Sequence, residues 1–102
     1  MNSKVLIAEL IGTFTLVFIG TATAVLAGSG LIAEGDMPVI AIAFAFGFTL
    51  MVLVYAIGPI SGCHINPAVT IAMVIAGKLE SKKAVPYIVA QIIGAILASV
   101  VL

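Results

Sequence analysis

Few side chains in this sequence can do chemistry, and their spacing narrows the kind. The 102 residues hold one histidine (His64), one cysteine (Cys63), four acids (Glu9, Glu34, Asp36 and Glu80) and four lysines. One thiol cannot close an internal disulfide, and one imidazole among scattered acids cannot assemble a metal site. No nucleophile, base and acid stand at a catalytic spacing, so the chain reads as a non-enzyme with no catalytic residue, no metal and no cofactor. What remains is hydrogen bonding by Asn66, which precedes Pro67. Asparagine caps a helix start by accepting from a nearby N–H, and proline suits the first helical position because its missing N–H would be unpaired there. With Oδ1 accepting from Ala68 or Val69, the Nδ2 hydrogens are left to face a cavity. The same helix end carries the positive pole of the helix dipole, about half a charge. Such a site favours a neutral hydrogen-bonding solute and repels a cation.

The elements that must carry Asn66 follow from composition. Apolar residues make up 64% of the chain and charged ones 8%, with a net charge of zero. That leaves too little polar surface to coat a water-soluble globule. It also excludes disorder, and without a basic face it excludes a nucleic-acid partner. The fold class is therefore an all-α membrane protein. No charge interrupts Leu10–Ala33, Met37–Gly77 or Ala84–Leu102, and a helix needs about 20 residues to cross the hydrocarbon core. Transmembrane helices are predicted at about 5–27, 39–57 and 84–102. Gly28-Ser29-Gly30 ends the first, while Gly58-Pro59 and Ser61-Gly62 break the long middle stretch. The remaining segment, 58–77, splits into an irregular loop from Gly58 to Asn66 and a short apolar helix from Pro67 to Ala76. That helix covers only ~16 Å, half a bilayer, so it reads as a re-entrant half-helix. Irregular backbone at membrane depth is tolerated where it is buried in protein or lines a watery cavity, so the loop is expected to line a polar path.

Lys4 precedes the first span, and Lys78, Lys82 and Lys83 precede the last, whereas the intervening loop carries Glu34 and Asp36. The positive-inside rule puts the N-terminus in the cytoplasm and the C-terminus of this segment outside. Tyr55 and Tyr87 are expected in the aromatic belt near the cytoplasmic ends of their spans. Glu9 lies inside the first apolar stretch, which argues against a cleaved signal peptide. An acid at that depth is expected to face the protein interior with a partner, and His64 is the candidate. Gln91 reads as structural, bonding across helices or to the Gly58–Asn66 loop. Small residues at four-residue spacing (Ala8/Gly12, Ala43/Gly47, Ala90/Gly94/Ala98) predict close helix contacts. Cys63 reads as a small packing residue; lining a pore, it would be open to mercurials.

The run Ile60-Ser61-Gly62-Cys63-His64-Ile65-Asn66-Pro67-Ala68-Val69-Thr70 resembles the first Asn-Pro-Ala (NPA) loop of the aquaporin, or major intrinsic protein, family, and looks closest to archaeal-type members. Ala8-Glu9-Leu10-Ile11-Gly12-Thr13-Phe14, Ala45-Phe46-Gly47 and Ala90-Gln91-Ile92-Ile93-Gly94-Ala95 extend the likeness over the whole chain. The resemblance implies a half-unit of three transmembrane helices plus one re-entrant half-helix, one of two inverted repeats. It implies that Asn66, of the Asn66-Pro67-Ala68 motif, donates to passing water at midpore. The carbonyls of Gly62, Cys63, His64 and Ile65 would form an acceptor ladder, Phe46 would belong to the outer selectivity filter, and Glu9 and His64 would form a buried pair bracing the pore loops. The function implied is selective, passive, single-file passage of water with protons excluded. Facilitated passage of glycerol or another small neutral solute is the alternative, although glycerol members usually carry Trp at the Phe46 position and this chain has none. A non-conducting membrane fragment or assembly subunit is a reading of a different class. The chain also departs from the family. It holds a single repeat with no second NPA and no arginine; Val69 stands at the place that corresponds to the filter arginine, and Pro59 stands where many relatives have His. Ending on apolar Val101-Leu102, it reads as an N-terminal half that needs a second inverted half, supplied by a longer protein or by an antiparallel copy of itself. Complete pores would assemble as a homotetramer in the cell membrane, with water and lipid as partners.

Overall fold

Apolar runs of this length form helices because a lipid interior leaves every backbone N–H and C=O to be satisfied within the segment. The computed structural model describes residues 2–30, 35 and 37–102; Glu34 and Asp36, used above for orientation, lie outside the described residues. The helices are α1 (Ser3–Gly28), α2 (Met37–Ser61), α3 (Pro67–Ile75) and α4 (Ser81–Val101). At 26, 25 and 21 residues, α1, α2 and α4 are long and apolar enough to cross a membrane. The nine residues of α3 reach only about 14 Å. The long axis of the molecule, 45 Å, matches a bilayer with its headgroups. Over the described residues the chain is thus an all-α membrane protein with three helices long enough to span and one of half that length.

The helix ends are locally encoded. Asn2 caps α1 by accepting from the Lys4 N–H at 2.9 Å, and Asn66 caps α3 by accepting from the Ala68 N–H at 2.8 Å. The far end of α3 is closed by Gly77 at φ 76°. There the Gly77 N–H donates to the Val74 carbonyl (3.1 Å) and the Lys78 N–H to the Met73 carbonyl (2.9 Å), a paired closure that needs a left-handed residue. The ends of the three long helices lie one to four residues from the expected bounds, with the largest differences at the end of α2 and at the start of α4, which begins at Ser81 and not at Ala84. α2 does not stop at Ile57 but runs through Gly58 and Pro59 to Ser61. Pro59 removes a single N–H from the ladder, and the Gly62 N–H donates to the Gly58 carbonyl at 2.8 Å, so the helix continues past it. The irregular backbone is therefore only Gly62 to Asn66.

α1 is the central helix, packed against both α2 and α4, while α3 packs on α4. Leu6, Ile7 and Leu10 share a groove with Val85, Pro86 and Val89, so α1 and α4 run parallel. Lys4 and Ile7 share another with Ile57 and Ile60 at the opposite end of α2, so α1 and α2 run antiparallel. Small residues set these distances. Ala90, Gly94 and Ala98 are buried, and a Cβ on Gly94 would collide with the Leu10 carbonyl oxygen of α1. Gly12 faces the side chains of Ile57 and Ile65, and Gly20 lies under the Phe46 ring. The third predicted stripe is not used in this way: Ala43 and Gly47 are exposed, and a Cβ on Gly47 would meet nothing within 4 Å. Tyr87 also departs from expectation. It is buried rather than set in an interfacial belt, because its hydroxyl reaches the Ser61 carbonyl at 2.8 Å. Tyr55, by contrast, is exposed.

Glycine substitutions separate used from unused small positions. Gly94→Val forces α1 and α4 apart and should lower unfolding stability in detergent by about 1–3 kcal/mol. Gly47→Ala enters open space within a helix and should leave stability unchanged or slightly raised. Equal responses of the two variants in a thermal melt would show that Gly94 is not a contact point.

Candidate functional site

Three of the buried polar residues, Ser61, His64 and Gln91, converge on the carboxylate of a fourth, Glu9. Glu9 is wholly buried on α1, and each of its oxygens accepts two hydrogen bonds. Oε2 accepts from the Ser61 hydroxyl at 2.6 Å and from the His64 N–H at 3.2 Å. Oε1 accepts from the Ile65 N–H at 2.9 Å and from Gln91 Nε2 at 2.8 Å. A carboxylate, with acceptors only, suits a site lined by four donors. The Ser61 hydroxyl also accepts from the Cys63 N–H at 3.2 Å. The backbone donors of the loop are therefore drawn to one side, toward α1 and the end of α2.

This arrangement demands unusual backbone. Gly62 lies at φ 86°, Cys63 at 52° and Ile65 at 42°. Glycine adopts positive φ freely, but for β-branched isoleucine it is an outlier costing about 1–3 kcal/mol. The bond from the Ile65 N–H to Glu9 offsets that strain. With the N–H groups of Cys63, His64 and Ile65 engaged, the carbonyls of Gly62, Cys63, His64 and Ile65 accept no hydrogen bond from any described residue. Four acceptors in succession are left for something else.

Asn66 ends this run. It is exposed, with Oδ1 committed to the Ala68 N–H and Nδ2 bonded to no described residue. Asn66 and Pro67 share a groove of about 290 Å³ with Thr13, Leu16 and Val17 of α1 and with Gln91, Ile92 and Ala95 of α4. Those residues stand near the midpoints of both helices, so the capped start of α3 sits near the middle of the bundle. Phe46 packs on Gly20, three to seven residues further along α1, or about 5–10 Å toward the end away from Lys4.

His64 and Glu9 are brought together, but through the main chain. The imidazole turns away, with Nδ1 3.1 Å from Thr70 Oγ1 and the ring stacked on Tyr87 at 4.7 Å. Gln91 Nε2 also reaches Thr70 Oγ1 at 2.9 Å, which ties α4 to α3. Gln91 thus bonds across helices and not to the loop backbone. The thiol of Cys63 is buried with Leu53 and Ile65, because Cys63 turns its side chain into the bundle; a thiol open to mercurials is not what the geometry presents. Ser61, Thr70 and Tyr87 join the site without being expected there: the sequence marks Ser61 only as a break in the apolar run and Tyr87 only as a belt aromatic. For Thr70 there was a signal: it is the one hydroxyl on an otherwise apolar half-helix and lies four residues after Asn66.

Glu9→Gln tests the clamp. A carboxamide turns an NH₂ toward groups that are themselves donors, so the variant should lose about 2–3 kcal/mol of stability in a detergent melt. Unchanged stability would mean that the four bonds do not hold the loop.

Comparison with known proteins identifies the family. The family model described as "Major intrinsic protein" matches residues 1–102. The Glycerol uptake facilitator protein-like 6 of Lactiplantibacillus plantarum is 55% identical over 93 residues, which cover 91% of this chain and 39% of that protein. Aquaporin Z of Rhodopseudomonas palustris is 42% identical over 102 residues, 100% of this chain and 42% of its own. Aquaporin AqpM of Methanothermobacter thermautotrophicus is 44% identical over 113 aligned residues, 95% and 45% respectively. The chain spans less than half the length of these relatives. With the family match running from its first residue to its last, the chain belongs to the major intrinsic protein family.

Proposed function

We propose that this chain is one half of a membrane channel that passes water in single file. The observation that carries the reading is the capped start of α3. Asn66 stands near the middle of the bundle with its Nδ2 uncommitted, and four backbone carbonyls precede it without partners among the described residues. Water on such a path exchanges hydrogen bonds along Gly62, Cys63, His64 and Ile65 and reorients at the Asn66 amide. The positive end of α3, worth about half a charge in a poorly screened setting, opposes protons and other cations. Phe46, toward the outer end, narrows the path as a filter aromatic. Glu9, Gln91 and the main chain of His64 act as braces. No covalent step and no cofactor enter.

A pore of this kind closes only around a second inverted half, as inverted-repeat transporters do. The relatives, each more than twice the length of this chain, support a longer polypeptide as its source; antiparallel pairing of two copies is the other route. Complete pores then gather as homotetramers in the cell membrane, with the lysine-bearing ends of α1 and α4 in the cytoplasm. Glycerol as substrate is the second reading, favoured by the name of the 55% identical relative. Against it, the sequence has no tryptophan to build the filter usual in glycerol members of the family.

Stopped-flow measurement on proteoliposomes separates these readings. Water passage gives fast osmotic shrinkage, a glycerol facilitator adds re-swelling in glycerol, and a non-conducting subunit gives neither. Asn66→Ala should slow shrinkage about 2- to 10-fold, the equivalent of one lost hydrogen bond of about 0.5–1.5 kcal/mol. Undiminished flux in that variant would remove Asn66 from the path.

A further inference from the structure

A second groove, of about 390 Å³, lies between the parallel helices α1 and α4, and every residue that lines it is apolar. Ile7 of α1 and Val85, Val89 and Ile93 of α4 form its walls and are exposed. From Val85 to Ile93 it runs about 12 Å along α4. At about 3.6 residues per turn, these α4 residues fall on nearly the opposite face from Gln91, Ile92 and Ala95, which border Asn66. The groove therefore opens away from the channel face. A polar cleft continues it, because Pro86 borders both the groove and a cleft lined by Glu80, Lys82 and Lys83. Lys82 stands three residues before Val85 and four before Pro86, so it lies on the groove face, one turn nearer the start of α4. Glu80 pairs with Lys82 at 3.5 Å and with Lys83 at 3.9 Å, and all three side chains are exposed. Pairs in water hold weakly, and one carboxylate against two ammonium groups leaves the cleft positive. Lys4 begins α1 at the same end and adds to that charge.

We propose that the groove and the cleft together bind one anionic phospholipid, an acyl chain lying along Ile7, Val85, Val89 and Ile93 and the phosphate resting on Lys82 and Lys83. A slot that is apolar along its length and positive at one end matches a molecule that is apolar along its length and anionic at one end. Each ammonium group has three N–H donors, so the phosphate takes those that Glu80 leaves free. A zwitterionic headgroup adds a cation that the lysines repel. The site stands apart from Asn66 and does not depend on which solute crosses the membrane.

Native mass spectrometry of the purified protein tests this, with phosphatidylglycerol and phosphatidylcholine of identical chains as the probes. Phosphatidylglycerol should be retained in preference, and Lys82→Gln and Lys83→Gln should each weaken its binding about 5-fold. Equal retention of the two lipids overturns the proposal. Lys78→Gln removes a charge outside the cleft and should leave the preference in place; a loss equal to that of Lys82→Gln means diffuse attraction and no site. Val89→Phe fills the groove from an exposed position and should weaken both lipids. If the second half or a neighbouring copy covers the groove instead, Val89→Phe alters the melting temperature or the assembly mass and leaves lipid retention unchanged, which also refutes the site. Because bound lipid is what is counted, a protein that conducts no water leaves these readouts intact.

Discussion

A carboxylate in the interior of a membrane protein and a run of backbone N–H groups in an irregular loop are each expensive to bury alone. Here they occupy the same space. Glu9 is surrounded by donors from the end of α2, the Gly62–Asn66 loop and α4, and the two loop N–H groups have no other acceptor among the described residues. Each cost is removed by the other, so the geometry of the loop is tied to the position of a single side chain on α1. Left-handed backbone at Cys63 and Ile65 persists because the surrounding bonds over-determine it. The unpartnered carbonyls are a direct consequence: once consecutive N–H groups are turned toward Glu9 and Ser61, the opposite edge of the peptide planes faces elsewhere.

The clamp works only if the helices approach closely enough for short side chains to meet. Gly94 lets the backbone of α4 lie against that of α1, three residues from Gln91, whose amide then reaches Glu9. Gly12 leaves room for Ile57 and Ile65 one turn from Glu9 on the other side. In lipid there is little hydrophobic gain from helix association, so van der Waals contact at small residues and interhelical hydrogen bonds carry it. Thr70 extends the same network into α3, where Gln91 and the His64 ring converge on its hydroxyl. The half-helix is thereby fixed from below by its cap and from the side by α4. Tyr87 joins the far edge of the loop to α4 through the Ser61 carbonyl.

Much of this was decided by residues acting on near neighbours. Span length came from runs without charge, because burying charge in hydrocarbon is costly over any 20-residue window. The start of α3 followed from Asn66-Pro67, since capping involves only the next two or three N–H groups. The depth of Glu9 in an apolar stretch already required a partner. What the chain alone left open was which groups would be that partner. His64 was the natural choice for an acid, yet its main chain bonds Glu9 while its ring turns to Thr70 and Tyr87. Of three small-residue stripes equal in pattern, Ala43/Gly47 stayed exposed among the described residues. Pro59 looked like a helix terminator and proved to be an interior residue. These outcomes belong to the tertiary structure because they depend on bonds between residues 52 to 82 positions apart, whose meeting is set by where helices cross and not by any local preference.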